Sequence, residues 1–171
     1  MSTLPIKLRL RFYGDASLRR KAKLVAKVSE KELAILAEMA EIMRLAGGVG
    51  LAAPQVGINR QIIVIDIGEG PRAFINPRIL KRLGCDTKEE GCLSLPGVFL
   101  SVKRAKKITI KALNEKNEEI NIAADNLLAR VIQHEMDHLK GKLLLDHANI
   151  FKKIELKRKL KASLKHKDDV M

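Results

Sequence analysis

The feature that most constrains the fold is a pair of histidines in the segment Gln133–His138. His134 and His138 stand four residues apart in a stretch with the apolar spacing of a helix. Residues four apart share one face of an α-helix, so these two imidazoles can hold one metal ion between them. Glu135 lies beside the pair and need not be a ligand, which suits it to proton transfer. The fold must therefore pack this helix face against the segment that supplies the remaining metal ligand.

A second segment, Glu90–Ser94, supplies a candidate third ligand. Cys92 offers a thiolate, and Gly91 before it lets the backbone approach other groups closely. Three protein ligands leave a fourth position for water, and such an open position distinguishes a catalytic metal site from a structural one. The two segments together predict a metallohydrolase.

A third segment, Gly48–Gln55, combines two glycines, two alanines and a proline. This composition predicts a tight loop that lies close to other backbone. Gln55 ends the segment with a side-chain amide that can donate a hydrogen bond to an oxygen.

Composition predicts one domain over residues 1–171, long enough to bury a sizeable core. With 46% hydrophobic and 31% charged residues, the chain is typical of globular proteins. No apolar run is long enough to cross a bilayer, and the N-terminus lacks the apolar core of a secretory signal. We therefore expect a cytoplasmic protein without a membrane partner. Its two cysteines, Cys85 and Cys92, are expected to be reduced, with Cys85 in a structural role.

The net charge of +13 indicates attraction to polyanions. Residues 151–171 are predicted to form a basic C-terminal helix or tail. Its basic residues up to position 167, set against the single acid Glu155, are Lys152, Lys153, Lys157, Arg158, Lys159, Lys161, Lys165 and Lys167. This run is either a solvated helix face or a docking element for RNA or an acidic surface. Aromatic residues make up only 3% of the chain, which argues against base stacking of the kind used by single-strand binders.

The order of predicted elements is helix, strands, then helices, which favours an α+β fold. Ser29 and Glu32 predict a capping box that opens the first helix, which Gly47 and Gly48 end. Predicted strands cover 61–66, 73–76, 79–83, 99–103, 107–113 and 119–123, with Pro77 separating the second from the third. Helices are predicted over 125–140 and 150–164. We expect a single domain with a mixed or antiparallel β-sheet around a central metal-binding helix.

Two other functions remain open on these residues. A zinc-type peptidase would place a third histidine at the position of Leu144, whereas His147 lies out of that register and Glu155 lies among lysines. A catalytically silent binding module could hold the metal and recognise nascent chains. Glu135 distinguishes that module from an enzyme, because a pure binder needs no proton carrier beside an open metal position.

The segments GVGLAAPQ at 48–55, EGCLS at 90–94 and QHEMDH at 133–138 resemble the three signature motifs of the peptide deformylase family. The resemblance extends from Tyr13–Asp15, through Phe74–Pro77, to Leu144–Asp146. It implies a hydrolase that removes the formyl group from the N-terminal methionine of newly synthesised polypeptides and releases formate. Its partners would be N-formylmethionyl nascent peptides, and the basic helix suggests the ribosome and its RNA as a further partner.

The resemblance also implies residue roles. Cys92, His134 and His138 would bind one divalent metal, with Fe(II) favoured and zinc, nickel or cobalt as alternatives. Glu135 would carry the proton. The Gln55 side chain and the Leu93 backbone N–H would donate hydrogen bonds to the oxyanion. The backbone of Val49 and Gly50 would bind the peptide. The pocket for the methionine side chain would be formed by Gly48, Glu90, Val131 and His134. Gln133 and Asp137 are expected beside the ligands, where they would fix a histidine tautomer.

Overall fold

The computed structural model describes residues 7–168, with side chains described as far as residue 163. The helices are α1 (Glu30–Leu45), α2 (Asn126–Leu139) and α3 (Ile150–Asp168). The strands are β1 (Gly50–Ala52), β2 (Ile62–Ile65), β3 (Arg72–Leu83), β4 (Asp86–Gly91), β5 (Phe99–Arg104), β6 (Lys107–Leu113) and β7 (Glu119–Asp125). Single 3-10 turns cover Ala16–Arg19, Ala53–Val56 and Leu144–His147. Among the described helices, none has both the length and the apolar character that crossing a bilayer requires.

A five-stranded antiparallel sheet lies between α1 and α2. Its strand order is β1-β2-β3-β6-β7, and β4 pairs with β5 in a separate two-stranded sheet. Strand β2 shows why the main sheet is covered on both sides. Ile62 and Val64 pack in the cluster with α1, whereas Ile63 and Ile65 pack in the cluster with α2. Alternate side chains of a strand face opposite sides, so a continuous apolar run is buried on both. The predicted α+β fold with an antiparallel sheet is confirmed.

The capping box predicted for α1 is present. The Ser29 backbone N–H donates to Glu32 Oε2 at 3.1 Å, so the side chain at the third helical position caps the helix start. The helix buries one apolar stripe, including Met39 and Met43, against the sheet. It ends at Leu45, and Gly47 follows in the left-handed conformation with φ 67°.

The third apolar cluster joins the small sheet to α3. Leu156 and Leu160 of α3 are buried with Leu95, Val98 and the leucines of the last 3-10 turn. Cys92 packs against the edge of this cluster. The C-terminal helix is therefore part of the folded structure, and it lies close to the segment that carries the candidate thiolate ligand.

The prediction of two strands separated by Pro77 was wrong, because β3 continues through it. The pairing of β3 with β6 shifts register between Ile75 and Arg78, which is a bulge. Asn76 adopts a positive φ of 52° there. Its side-chain amide bonds both backbone groups of Val25, at 2.9 and 2.8 Å. The bulge accommodates the missing N–H of proline, so the strand survives.

The structure also differs from the predicted elements at three further places. Strand β4 was not predicted, since residues 86–91 carry mostly charged and polar side chains with no apolar alternation. Segment 48–55 is not simply a loop: it forms β1 and then a 3-10 turn. Helix α3 extends to Asp168, beyond the predicted end at 164. The side chains of Lys165 and Lys167, and the last part of the predicted 1–171 domain, lie outside the described residues.

Gly141, two residues after the end of helix α2, is closely packed against another part of the backbone. Gly141 has a φ of 72°, and a Cβ added there would lie 2.4 Å from the backbone oxygen of Arg19. The 3-10 turn that contains Arg19 therefore packs directly on the end of α2. Gly47 has a similar φ of 67°, but nothing lies within 4 Å of its added Cβ.

This pair of glycines separates backbone strain from steric contact. We expect Gly47→Ala to lower the free energy of unfolding by about 1 kcal/mol, the cost of a left-handed conformation. Gly141→Ala should lower the free energy of unfolding by about 2 kcal/mol more than Gly47→Ala does, because its new methyl group clashes with backbone that cannot rotate away. Urea denaturation of both variants measures the difference. Equal losses would show that the contact with Arg19 is unimportant.

Candidate metal centre

The candidate metal centre lies where the end of β4 meets the middle of α2. Cys92 follows β4 directly, and His134 and His138 stand on one face of α2. One ligand atom from each of the three residues lies within 4.8 Å of the others, and Cys92 Sγ is 3.3 Å from His138 Nε2. Both histidines are buried, and Cys92 is half-buried. The structure therefore brings together all three predicted ligands.

Glu90 orients His134 in this cluster. Its Oε2 lies 2.9 Å from His134 Nδ1, which commits that nitrogen to a hydrogen bond and leaves Nε2 for a metal. Burial would raise the pKa of Glu90, but hydrogen bonds from His134 and Arg104 lower it to about 2. The carboxylate is therefore ionised and accepts the Nδ1 proton.

Two buried arginines hold that carboxylate. Arg104 donates to it with a two-pronged contact, Nε to Oε1 and Nη2 to Oε2, both at 2.9 Å. Arg130 Nη1 donates to Oε1 at 2.7 Å and to the carbonyl oxygen of Val102 at 2.8 Å. The second prong of Arg130 binds Asp86. These contacts join β4, β5 and α2, and sequence reasoning missed them because no local pattern marks either arginine as a partner of Glu90.

A cavity of about 450 Å³ opens onto the cluster. It is lined by every predicted site residue except His138, which lies fully buried behind it: Gly48, Val49, Gly50, Gln55, Glu90, Cys92, Leu93, Val131, His134 and Glu135. Walls that were not predicted come from Leu95, Val98, Phe99, Leu127 and Arg130. The three sequence segments therefore meet around one concave space.

Glu135 is the ionisable group best placed to move a proton in this cavity. It is 4% exposed, and its Oε2 has no hydrogen-bond partner among the described residues. Burial raises its pKa to about 7, against the opposing charges of His134 and Arg104. A carboxyl group with that pKa can both accept and release a proton near neutrality.

Gln55 presents its amide nitrogen to the same space. Its Oε1 accepts a bond from the Ala52 backbone N–H at 2.8 Å, which fixes the orientation of the amide. Its Nε2 then points at Ser94 Oγ, 3.2 Å away, and at Cys92 Sγ, 3.6 Å away. The amide N–H₂ is thus a fixed donor beside the candidate metal position.

Two glycines of the first motif permit close approach. A Cβ added at Gly50 would lie 2.5 Å from Glu135 Oε1 and 2.7 Å from Val131 Cγ1. A Cβ added at Gly48 would lie 2.7 Å from Leu93 Cδ1. The backbone of β1 can therefore lie directly against the catalytic candidates only because these residues have no side chain.

The donor set fits a divalent metal. One thiolate and two imidazoles suit zinc, Fe(II), cobalt or nickel. Burial lowers the pKa of His138, so its imidazole is neutral and can offer a lone pair. Burial alone would lower the pKa of His134, but its contacts with Cys92 and Glu90 and the nearby charge of Glu135 raise it well above the usual range, so these groups favour a positive charge beside them.

Gln133 and Asp137 do not contact the histidine ligands, which corrects the expectation that they fix a tautomer. Gln133 bonds both backbone groups of Ala105 and so anchors α2 to the β5–β6 connection. Asp137 pairs with Arg104 at 2.6 Å and with His147 at 2.8 Å. Each of the two residues precedes a histidine ligand by one position, which turns its side chain by about 100° around the helix, toward Arg104 and the β5–β6 connection.

The alternative ligands for a peptidase lie elsewhere. Leu144 is buried in the third apolar cluster, and His147 is bound to Asp137. Glu155 pairs with Lys152 and Lys159 on α3. Cys85 is exposed and outside the cluster, so no buried structural role supports the expectation made for it.

Comparison with known proteins points to one family. A family model described as polypeptide deformylase matches residues 7–154. The peptide deformylase of Clostridium botulinum (strain Alaska E43 / Type E3) is 51% identical over 137 residues, covering 80% of this chain and 93% of its own length. That of Pseudoalteromonas translucida (strain TAC 125) is 44% identical over 168 residues, covering 96% of this chain and 98% of its own.

Solved structures of peptide deformylases are also similar to this chain. A crystal structure of a peptide deformylase from Legionella pneumophila superposes with a TM-score of 0.91 at 36% identity, covering 94% of this chain and 97% of that one. A peptide deformylase from Synechococcus elongatus, solved in complex with actinonin, superposes with a TM-score of 0.85 at 42% identity, covering 93% and 88%. The structural similarity therefore extends over nearly the whole chain.

Proposed function

Since this chain belongs to the peptide deformylase family, whose reaction removes the N-formyl group from nascent polypeptides, we propose that the cavity beside Cys92 carries out that reaction. The observation that carries the proposal is the meeting of three ligand atoms, one buried carboxyl and one fixed amide around a single space. The product would be formate and a free N-terminal methionine.

Cys92, His134 and His138 would hold the metal. A divalent metal in such a site acts as a Lewis acid and lowers the pKa of water. We propose Fe(II) as the ion in the cell, with zinc, nickel or cobalt able to occupy the same donors. A thiolate beside Fe(II) is prone to oxidation, so loss of activity in air, together with loss of iron or oxidation of Cys92, would support Fe(II) over zinc.

Glu135 would act as the proton carrier. Its carboxyl faces the cavity from one side of the ligand pair and has no competing partner among the described residues. It would accept a proton from the attacking water and deliver it to the departing amine. A pKa raised to about 7 by burial suits both steps.

Gln55 and Leu93 would stabilise the negative charge that develops on the formyl oxygen. The amide of Gln55 is held by the Ala52 backbone, so its N–H₂ requires no reorganisation during the reaction. The Leu93 backbone N–H would be the second donor, since Leu93 lines the same cavity. The space between these donors and the ligands favours a small acyl group.

The peptide would lie along β1. This strand is at the edge of the main sheet, where an extended chain can pair with the unpaired side near Val49 and Gly50. The methionine side chain would enter among Gly48, Val131 and His134. Glu90 borders that pocket, but both its oxygens are engaged by arginines and His134, so it positions its neighbours instead of binding substrate through its charge.

Glu135→Gln tests the central chemical role. The amide keeps the shape of the carboxyl but cannot carry the proton, so formate release from formyl-Met-Ala-Ser should fall by about 10²- to 10⁴-fold. Anaerobically prepared Fe(II) protein and a formate assay measure this. Glu89→Gln is the matched control, because Glu89 is an exposed acid at the rim of the same cavity. Metal content should be unchanged in both variants.

The outcomes distinguish the other functions. Cleavage of internal peptide bonds without formate release would indicate a peptidase. Binding of formyl-Met-Ala-Ser without turnover by the metal-loaded wild type would indicate a catalytically silent module. Activity of Glu135→Gln equal to the wild type would remove Glu135 from the mechanism while leaving the family assignment intact.

We also propose that residues 1–171 act as one catalytic domain in the cytoplasm and that α3 docks it on the ribosome. Side chains of α3 that are fully or partly exposed include Lys157, Arg158 and Lys161, none of which has a salt-bridge partner among the described residues. Exposed Phe151 and Ile154 lie on the same helix. A basic helix with exposed apolar residues suits contact with ribosomal RNA or an acidic ribosomal surface.

Charge neutralisation tests this docking better than truncation, because removal of α3 would also remove Leu156 and Leu160 from the core. We expect the triple change of Lys157, Arg158 and Lys161 to glutamine to weaken ribosome co-sedimentation at least tenfold and to flatten its salt dependence. A matched control neutralises Lys27, Lys31 and Lys116, which are exposed near α1 and the β6–β7 turn. Equal binding by both triple variants would contradict the proposal.

A further inference from the structure

A basic groove lies on the side of α2 that faces away from the metal centre. It consists of two adjoining cavities of about 510 and 440 Å³. Four residues line both cavities and so make the groove continuous: Ile79, Arg82, Met136 and Lys140. Met136 and Leu139 of α2 contribute apolar surface to the groove.

The groove carries strong uncompensated positive charge. Six exposed basic side chains line it: Lys21, Arg78, Arg82, Lys103, Lys140 and Lys142. None of the six forms a salt bridge within the described residues. The acid in the lining, Asp137, is already paired with Arg104 and His147. A concave surface with charge of one sign focuses the electric field and concentrates counter-ions.

We propose that this basic groove binds the phosphate backbone of base-paired RNA. Six unpaired cations along one concavity match a row of phosphates, and the release of condensed counter-ions would drive binding. No aromatic residue lines either cavity, so bases cannot stack there and contact falls on the backbone. Base-paired RNA presents its phosphates and shape for such contact, whereas a flat membrane cannot follow a concave surface.

The position of the groove leaves the active cavity open. Residues Arg130, Val131 and Glu135 of α2 face that cavity, whereas Met136 and Lys140 face the groove. RNA bound in the groove would therefore occupy the opposite side of the helix from the substrate. RNA binding by the groove does not require the proposed deformylase reaction. Only the statement that the RNA-bound protein remains an active enzyme rests on that proposed function. Turnover of a short formyl peptide should be unchanged when RNA is bound.

Cys85 provides a natural reporter of occupancy. It lines the groove, is exposed, and has no disulfide partner. Alkylation of its thiol should slow when RNA covers the groove. Mass spectrometry of the tryptic peptides separates this reaction from that of Cys92, which belongs to the metal centre.

The first experiment measures binding of an RNA duplex of about 20 base pairs as a function of salt. The groove variant changes Arg82, Lys103 and Lys140 to glutamine, and the control changes Lys27, Lys31 and Lys116. Both remove three charges from exposed positions. Each phosphate contact contributes about 0.9 to the slope of log affinity against log salt, so the groove variant should lose about 3 from the slope and at least tenfold in affinity. The control should bind nearly as the wild type does.

The second experiment is the alkylation of Cys85 in full-length wild-type protein with the same duplex. Protection of at least fivefold at saturating RNA is expected. It should persist when Lys157, Arg158 and Lys161 of α3 are neutralised, which separates the groove from the α3 proposal. Unchanged alkylation, or groove and control variants that bind RNA equally, would overturn the inference. Equal protection of Cys85 by polyglutamate would also overturn it and would assign the groove to an acidic protein chain.

Discussion

The buried carboxylate of Glu90 is the interaction on which the site depends. It accepts hydrogen bonds from Arg104, Arg130 and His134, and all four side chains are withdrawn from solvent. Buried charges are tolerated only when they are paired and fully hydrogen-bonded, because the loss of hydration is otherwise too costly. The carboxylate therefore fixes the positions of β4, β5 and α2 relative to one another. The thiol of Cys92 and the two histidines reach a common point as a consequence.

Helix α2 serves two chemically different surfaces because of its periodicity. His134 and Glu135 line the cavity and His138 is buried behind it. Gln133 and Asp137 face another side, where they tie the helix to the β5–β6 connection and to Arg104. The same pattern that places ligands four residues apart also places Met136 and Lys140 in the basic groove. The cavity beside the candidate metal ligands and the basic groove therefore lie on opposite sides of one helix.

The local parts of the site were predictable from sequence, and the long-range parts were not. Ligand spacing on a helix, the capping box of Ser29 and Glu32, and the buried run of β2 follow rules that act within a few residues. The partnership of Glu90 with Arg104 and Arg130 joins residues 14 and 40 positions apart. Strand β4 was not predicted because its residues are mostly polar and lack the alternation of apolar and polar side chains that marks a strand. Pairing with β5 and the burial of Glu90 stabilise it instead. The bulge at Asn76 likewise depends on Val25, far away in the chain.

The most direct test of the role given to Glu90 is the metal affinity of Glu90→Gln, measured by competition with a chelator using Zn²⁺ or Co²⁺. The neutral amide would lose its charge pairing with both arginines and its control of the His134 tautomer, so affinity should fall about 10- to 100-fold. Glu89→Gln, one residue away on the exposed face of β4, should bind metal as the wild type does. Circular dichroism shows whether both variants remain folded. A folded Glu90→Gln protein with undiminished metal affinity would contradict the account.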